Sequence, residues 1–302
     1  MTEQEARLLL EARGLAGVVP AVAISGVRTH AHIGARPAPG RFPLVLLSPG
    51  FSMPRGTLTA LADDLASRGY VVAVVDHAYE SVGTSFPDGR VLTCVACEQV
   101  ATDKERAQVA EGRARDLSFV IDELTALRAP SGTVEGQCRL PFARMIDARR
   151  IGVAGHSIGG AAAMAVMRQD ERVRAGVNLD GNFFVPSAGA SLGGRPFLMV
   201  GAAATHSPGS ANSDWAEVWN RLDGWKRWLT MGGAEHFSFT DLPVLAGRLG
   251  LSDPAVPLSG ERSWQLTRDH TTAFFDTHLR GMARPLLDGP AADRPEVMFP
   301  WV

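Results

Sequence analysis

Residues 151–160 read Ile-Gly-Val-Ala-Gly-His-Ser-Ile-Gly-Gly. An apolar run ends in Gly155-His156-Ser157-Ile158-Gly159, and an Ala- and Met-rich stretch with helical character follows. This is G-x-S-x-G set between a predicted strand and a predicted helix, the context in which the pattern reads as a nucleophile elbow. A serine hydroxyl barely ionises at neutral pH. To act as a nucleophile it needs a base, a fixed orientation and donors for the charge that develops. The elbow supplies the orientation. Gly155 and Gly159 carry no side chain, so the backbone can turn sharply while strand and helix approach closely.

Outward from the elbow, apolar runs alternate with segments of helical spacing. Strands are predicted at 44–47, 70–75, 150–154, 173–179, 196–200 and 226–230, and helices at 8–15, 57–68, 103–127, 158–168 and 260–279. The Val-rich run 70–75 is continuously apolar, as a strand covered on both faces should be. Gly69 stands where a left-handed residue closes the preceding helix. Strands alternating with helices give an α/β fold, a mostly parallel sheet with helices on both faces. Two edge strands, 19–25 and 27–33, are predicted around Gly26, and Pro87-Asp88-Gly89 marks a hairpin within the excursion 81–97. The chain reads as one domain over 1–302. Its N-terminal helix and edge strands fall in 1–40, and the irregular segment 202–220 is a lid or pocket wall.

With 302 residues and 45% hydrophobic content, the chain can bury one large core. A net charge of −2 without long runs of like charge argues against nucleic acid as a partner. No run of about 18 apolar residues occurs, so no transmembrane segment is expected. The start, Met1-Thr2-Glu3-Gln4-Glu5, lacks the features of a secretory signal. A cytoplasmic location is the expectation, or a secreted one after loss of a leader. Three cysteines make no disulfide framework: Cys94 and Cys97 read as ordinary thiols or a local disulfide, and Cys138 as unpaired. His30 and His32 have no third ligand nearby, so no metal is expected. No dinucleotide-binding glycine pattern occurs, so no cofactor is expected either. Composition specifies no oligomeric state.

In this architecture the partners of Ser157 follow it in the order acid, then histidine, on loops at strand ends. Asp180 ends the apolar run Ala175-Gly176-Val177-Asn178-Leu179 and precedes Gly181. A turn-forming role is its alternative. His236 lies in Gly232-Gly233-Ala234-Glu235-His236-Phe237, after the last strand of the predicted parallel set. His206, after the preceding strand, is the alternative base. His270 and His278, in the C-terminal helix, read as structural, and His156 as a packing residue. The oxyanion donors are expected to be the N–H of Ile158 and the N–H of Phe51, in Ser48-Pro49-Gly50-Phe51. Candidate acyl-pocket residues are Phe51, Phe183, Phe184, Trp215, Trp219 and Phe237, with His77 at the rim or structural.

With those residues in view, the chain resembles the platelet-activating factor acetylhydrolases of the secreted and type II kind, within the α/β-hydrolase superfamily. The resemblance is carried by Gly155-His156-Ser157-Ile158-Gly159-Gly160, by Asn178-Leu179-Asp180-Gly181 and by His236-Phe237-Ser238-Phe239-Thr240-Asp241. The short interval from Ser157 to Asp180 adds to it. It covers roughly residues 40–280. It implies an α/β-hydrolase fold and a cofactor-independent serine esterase that forms an acyl-enzyme from small esters, short-chain or lipid-like. Pro49-Gly50 stands where that family has His-Gly, and the Ser48-Pro49-Gly50-Phe51 wording is similar to bacterial cutinase-like polyester hydrolases. Polyester hydrolysis and acyl transfer or cyclisation by the same three residues stay open as alternatives. So does a non-catalytic binding protein on this fold.

Overall fold

The computed structural model describes residues 1–125, 142–184, 191–211 and 213–301. Elements follow in the order α1 (Glu3–Ala12), α2 (Ala21–Ser25), β1 (Phe42–Ser48), α3 (Thr59–Ser67), β2 (Val71–Val74), β3 (Thr84–Ser85), β4 (Val91–Leu92) and α4 (Asp103–Thr125). Then come β5 (Ile146–His156), α5 (Ile158–Gln169), β6 (Val173–Leu179), β7 (Phe197–Ala202), α6 (Ala203–His206) and α7 (Trp215–Trp219). The chain ends with β8 (Lys226–Met231), α8 (Leu242–Arg248), α9 (Gly260–Arg280) and β9 (Val297–Trp301). The main sheet has seven strands in the order β2-β1-β5-β6-β7-β8-β9. All neighbours are parallel except β9, which lies antiparallel to β8.

Alternation along β1 explains why its sequence is apolar throughout. Leu44 and Leu46 join Leu117 and Ile121 of α4 and Ala162 and Met164 of α5 in one core. Val45 and Leu47 point the other way, into a second core with Leu61 and Leu65 of α3 and Phe274 and Phe275 of α9. With period-2 alternation and a helical layer on each face, no position of the strand is left for a polar side chain. Each such buried aliphatic side chain stabilises the fold by about 1.5–3 kcal/mol. Gly69 sits at φ +90° after α3, and Gly281 at φ +68° after α9. The other end of α9 is capped by Ser259, whose hydroxyl accepts the Arg262 N–H at 3.3 Å.

Two features differ from expectation, and one alternative is decided. The predicted edge strands 19–25 and 27–33 do not form: Ala21–Ser25 is a short helix, and 27–33 is turn and loop. Pro20 opens the helix, and its amides close helical turns, with Ala23 N–H donating to the Pro20 carbonyl and Gly26 N–H to that of Val22. Val19 and Ile24 then pack on Ala6 and Leu10 of α1 instead of pairing with a sheet edge. A short apolar run fits either period, and the available partner here is a helix. The strand β9 is not among the predicted strands; it lies at the edge of the sheet, where its Pro300 is tolerated. Of the two readings of Cys94 and Cys97, the local disulfide is the one that forms. The two cysteines stand just after the β3–β4 hairpin, where Thr84 pairs with Leu92. Cys138 and the predicted helix end at 126–127 lie outside the described residues. Among the described residues no helix is long and apolar enough to cross a membrane.

Candidate active site

Ser157 sits between the end of β5 and the start of α5, at φ 56° and ψ −127°. A non-glycine residue at positive φ is strained by about 1–3 kcal/mol and persists only where its surroundings impose it. The surroundings here are tight. A Cβ on Gly155 would lie 2.1 Å from the Gly159 carbonyl carbon, and one on Gly159 would lie 2.1 Å from the Ser48 carbonyl oxygen. The Ser157 N–H is held by the Leu179 carbonyl at 2.8 Å. The elbow is thus clamped between β6 and the loop after β1.

Asp180 follows β6, also at positive φ (58°), with its N–H on the Val200 carbonyl at 2.8 Å. Its buried carboxylate uses both oxygens. Oδ1 accepts the Ala202 N–H at 2.7 Å and lies 3.1 Å from His206 Nδ1. Oδ2 lies 2.6 Å from His236 Nδ1. Burial raises the carboxyl's pKa, but the hydrogen bonds and charges of His206 and His236 outweigh it and hold the value at about 2. An ionised carboxylate only accepts. His236 Nδ1 therefore carries the hydrogen, and its Nε2 lone pair is left to take a proton. His236 opens a single 3-10 turn after β8, His236–Phe239, closed by the Glu235 N–H donating to Ser238 Oγ at 2.9 Å.

Ser157, Asp180 and His236 share one cavity of about 420 Å³. Phe184 and Asn182 form one side, and Thr205, His206, Ser210 and Ala211 another. The walls are therefore drawn from the chain after β6 and from the segment after β7. Ile158 is the first residue of α5, so its N–H has no partner within the helix. Phe51 packs against the small cluster of Ile158 and Ala161, which brings the loop after β1 beside the elbow.

The aromatic expectations are partly corrected. Phe184 lines the cavity, whereas Phe183 is 1% exposed and packs on Phe197 and Trp215. Trp215 is fully buried; its indole N–H donates to the Gly181 carbonyl at 2.7 Å, and its ring faces Trp228. Trp219 packs on Trp228 and under the Lys226 ammonium, on the sheet side of the segment. Among the described residues, neither tryptophan lines the cavity, because a short helix buries its large faces against the strands below. Phe237 stands edge-on to His236 with the Arg13 guanidinium over its ring, outside the described lining. His77 is no rim residue. It is turned under the loop after β1, between Ser48 and Asp116, which satisfy both of its ring nitrogens.

Three further residues support the site. Asp214, the residue before α7, accepts the Phe183 N–H at 2.9 Å and the Phe184 N–H at 2.8 Å and so holds the cavity wall. Arg113 reaches from α4 to the loop after β1. His156 is fully buried and reaches the His236 loop. Asp214 and Arg113 have no sequence signal of their own, and His156, expected only to pack, adds a hydrogen bond to the His236 carbonyl; each acts across a large separation along the chain.

A family model described as platelet-activating factor acetylhydrolase, isoform II, matches residues 7–253. A probable 1-alkyl-2-acetylglycerophosphocholine esterase of Arthroderma benhamiae is 28% identical over 276 residues, which is 85% of this chain and 66% of that protein. The platelet-activating factor acetylhydrolase of Cavia porcellus is 22% identical over 224 residues, 69% of this chain and 50% of its own. The chain thus spans between half and two thirds of the length of these curated relatives. Among solved structures, a ferulic acid esterase from Streptomyces cinnamoneus is similar at a TM-score of 0.78 and 47% identity, over 91% of this chain and 78% of that one.

Proposed function

The chain belongs to the family of platelet-activating factor acetylhydrolase, isoform II, and from that membership we propose that it is a serine-dependent carboxylic-ester hydrolase. The observation that carries the reading is the 2.6 Å link from Asp180 to His236 at the wall of the cavity that Ser157 also lines. In the reaction, His236 Nε2 removes the Ser157 proton as the hydroxyl oxygen attacks the ester carbonyl. Asp180 keeps the imidazole in the required tautomer and stabilises it once charged. The oxyanion is held by the N–H groups of Ile158 and Phe51. His236 then protonates the departing alcohol, and a water repeats the sequence to free the acid and restore Ser157.

For the acyl group, the reading favours an aromatic acid of hydroxycinnamate size. Support comes from the 47% identity to a ferulic acid esterase, against 28% or less for the acetylhydrolase-type relatives. The Phe184 ring at the cavity wall supplies an apolar surface for such a group. The test is a panel of p-nitrophenyl acetate, p-nitrophenyl octanoate, methyl ferulate and a 1-alkyl-2-acetylglycerophosphocholine, assayed with the parent chain and Ser157→Ala. Methyl ferulate is expected to give the highest kcat/KM, with all activity lost in the variant and a fluorophosphonate labelling Ser157 alone. Labelling at another serine, or none, would defeat the assignment. A preference for the phosphocholine ester would keep the chemistry and overturn the acyl group.

A further inference from the structure

The loop after β1 hangs on a buried guanidinium. Arg113, on α4, is 1% exposed. Its Nε donates to Glu80 Oε2 at 2.6 Å, and its Nη1 to the Pro49 carbonyl at 2.5 Å. Longer contacts run from Nη1 to Ser48 Oγ at 3.4 Å and from Nη2 to the Gly50 carbonyl at 3.5 Å. Ser48 Oγ is also 2.9 Å from His77 Nε2, and His77 Nδ1 is 2.7 Å from Asp116 Oδ2. Burial, and then the Arg113 charge, push the His77 imidazole down to about 4. Neutral at pH 7, it donates from Nδ1 to the carboxylate and accepts the Ser48 hydroxyl at Nε2. Glu80 closes the circle from the other side, its own carbonyl accepting the Ser52 N–H at 2.9 Å.

A buried ion pair is a weak source of stability, because desolvation offsets most of the attraction. What this one does is fix direction. A trans peptide is planar, so the carbonyl of one residue and the N–H of the next point opposite ways. The Gly50 carbonyl, shared between Arg113 Nη2 and the Met53 N–H at 3.2 Å, faces α4, which turns the Phe51 N–H away from α4. Phe51 itself packs against Ile158, whose N–H is the other expected donor. The guanidinium fork spans Glu80 and two successive carbonyls; a lysine ammonium, a single point on a flexible stem, does not reproduce that span.

We propose that Arg113 is a positioning residue for the oxyanion, aiming the Phe51 N–H by its grip on the Pro49 and Gly50 carbonyls. The inference rests on the esterase reading of Ser157. It is tested with Arg113→Lys and Glu80→Gln, each assayed on p-nitrophenyl acetate per active site titrated by fluorophosphonate. Inhibition by an aryl trifluoromethyl ketone, whose serine adduct carries the oxyanion, is measured alongside. Removing an oxyanion donor outright lowers kcat by about 10²–10³-fold, so misdirecting one is expected to lower it by about 10–100-fold. KM should stay within about threefold, and the ketone should bind more weakly by the same factor as kcat falls. Glu80→Gln should show the same paired loss at smaller size, and it carries the test if Arg113→Lys does not fold. Unchanged kcat and ketone affinity per titrated site, or a kcat loss without loss of ketone affinity, would overturn the proposal. A parent chain without ester hydrolysis would remove the esterase reading, and this inference with it, before either variant is made.

Discussion

The His156 imidazole donates its Nε2–H to the backbone carbonyl of His236 at 2.7 Å. The residue beside the candidate nucleophile thus holds the loop that carries the candidate base. Its other nitrogen has no hydrogen-bond partner, and a Cβ on Gly50 would lie 2.9 Å from it. Burial, with the His236 charge next, pushes this ring down to about 3, so it stays neutral across the working range. His156→Phe keeps the ring and removes the donor. Leaving one such carbonyl unpaired costs about 1–3 kcal/mol. If that loosens the base, kcat per fluorophosphonate-labelled site falls by about tenfold or more while Ser157 still labels. An unchanged kcat would mean that packing alone places the loop.

Ser157→Ala and His236→Ala are each expected to lower turnover by several orders of magnitude. The double variant should be little worse than either, because the groups act as a unit. Asp180→Asn should cost about 10³–10⁴-fold, since an amide no longer imposes the Nδ1–H tautomer. Additive losses in single-turnover assays would contradict a shared proton path.

Asp180 serves two imidazoles, and their exchange is a direct check. His206 shares Oδ1 with the Ala202 N–H and is 6% exposed, whereas the His236 side chain is 44% exposed at the cavity. His206→Ala should retain activity within about tenfold of the parent, with His236→Ala inactive. The reverse outcome would make His206 the base.

Below about pH 6.5 the buried histidines should make the fold progressively less stable. The His77 and His156 values of about 4 and 3 lie below the ordinary 6.5, so below that pH the unfolded chain binds protons that the folded chain refuses. Their contribution to stability is therefore full above 6.5 and is lost as pH falls toward the folded values, opposed by Asp241, whose carboxyl burial raises to about 7. These two groups together contribute about 2.7 kcal/mol per pH unit near pH 5, and Asp241 subtracts up to one proton from that slope. His278, pushed to about 4 by burial and then by the Arg227 charge, adds up to one further proton. Its ring packs on Trp225 and Phe274, so His278→Phe preserves the packing and should flatten the slope. Urea unfolding between pH 7 and 4.5 measures it; parallel lines for parent and variant would refute it.

Asp214→Ala frees the Phe183 and Phe184 amides that its carboxylate now holds. Because Phe184 lines the cavity and Phe183 does not, the expected effect is on substrate fit. KM for methyl ferulate should rise at least several-fold while KM for p-nitrophenyl acetate changes little. Equal changes for both esters would mean that the wall does not sort acyl groups.

The elbow is legible because its instructions are local: an apolar strand, two glycines and a helix lie within a few residues of Ser157. Asp180 and His236 are legible because a strand end followed by a loop predicts where a side chain emerges. Facing direction is a different matter. Whether Trp215 turns to the cavity or to Trp228 depends on which side of a five-residue helix meets the sheet, and both sides carry large side chains. His77 sits at a strand end that suits a rim residue, yet Ser48 and Asp116 claim its nitrogens from beneath. The segment 19–25 is ambiguous for a third reason: short apolar runs take the geometry of whatever they pack on, here the apolar face of α1.

Because no methyl group fits at Gly155 or Gly159, this corner of the molecule is closed to gradual change. Diversification among descendants of such a chain has to proceed elsewhere, chiefly around Ser210 and Ala211, which line the cavity. New selectivity can then arise by editing a wall while the machinery behind it is inherited intact.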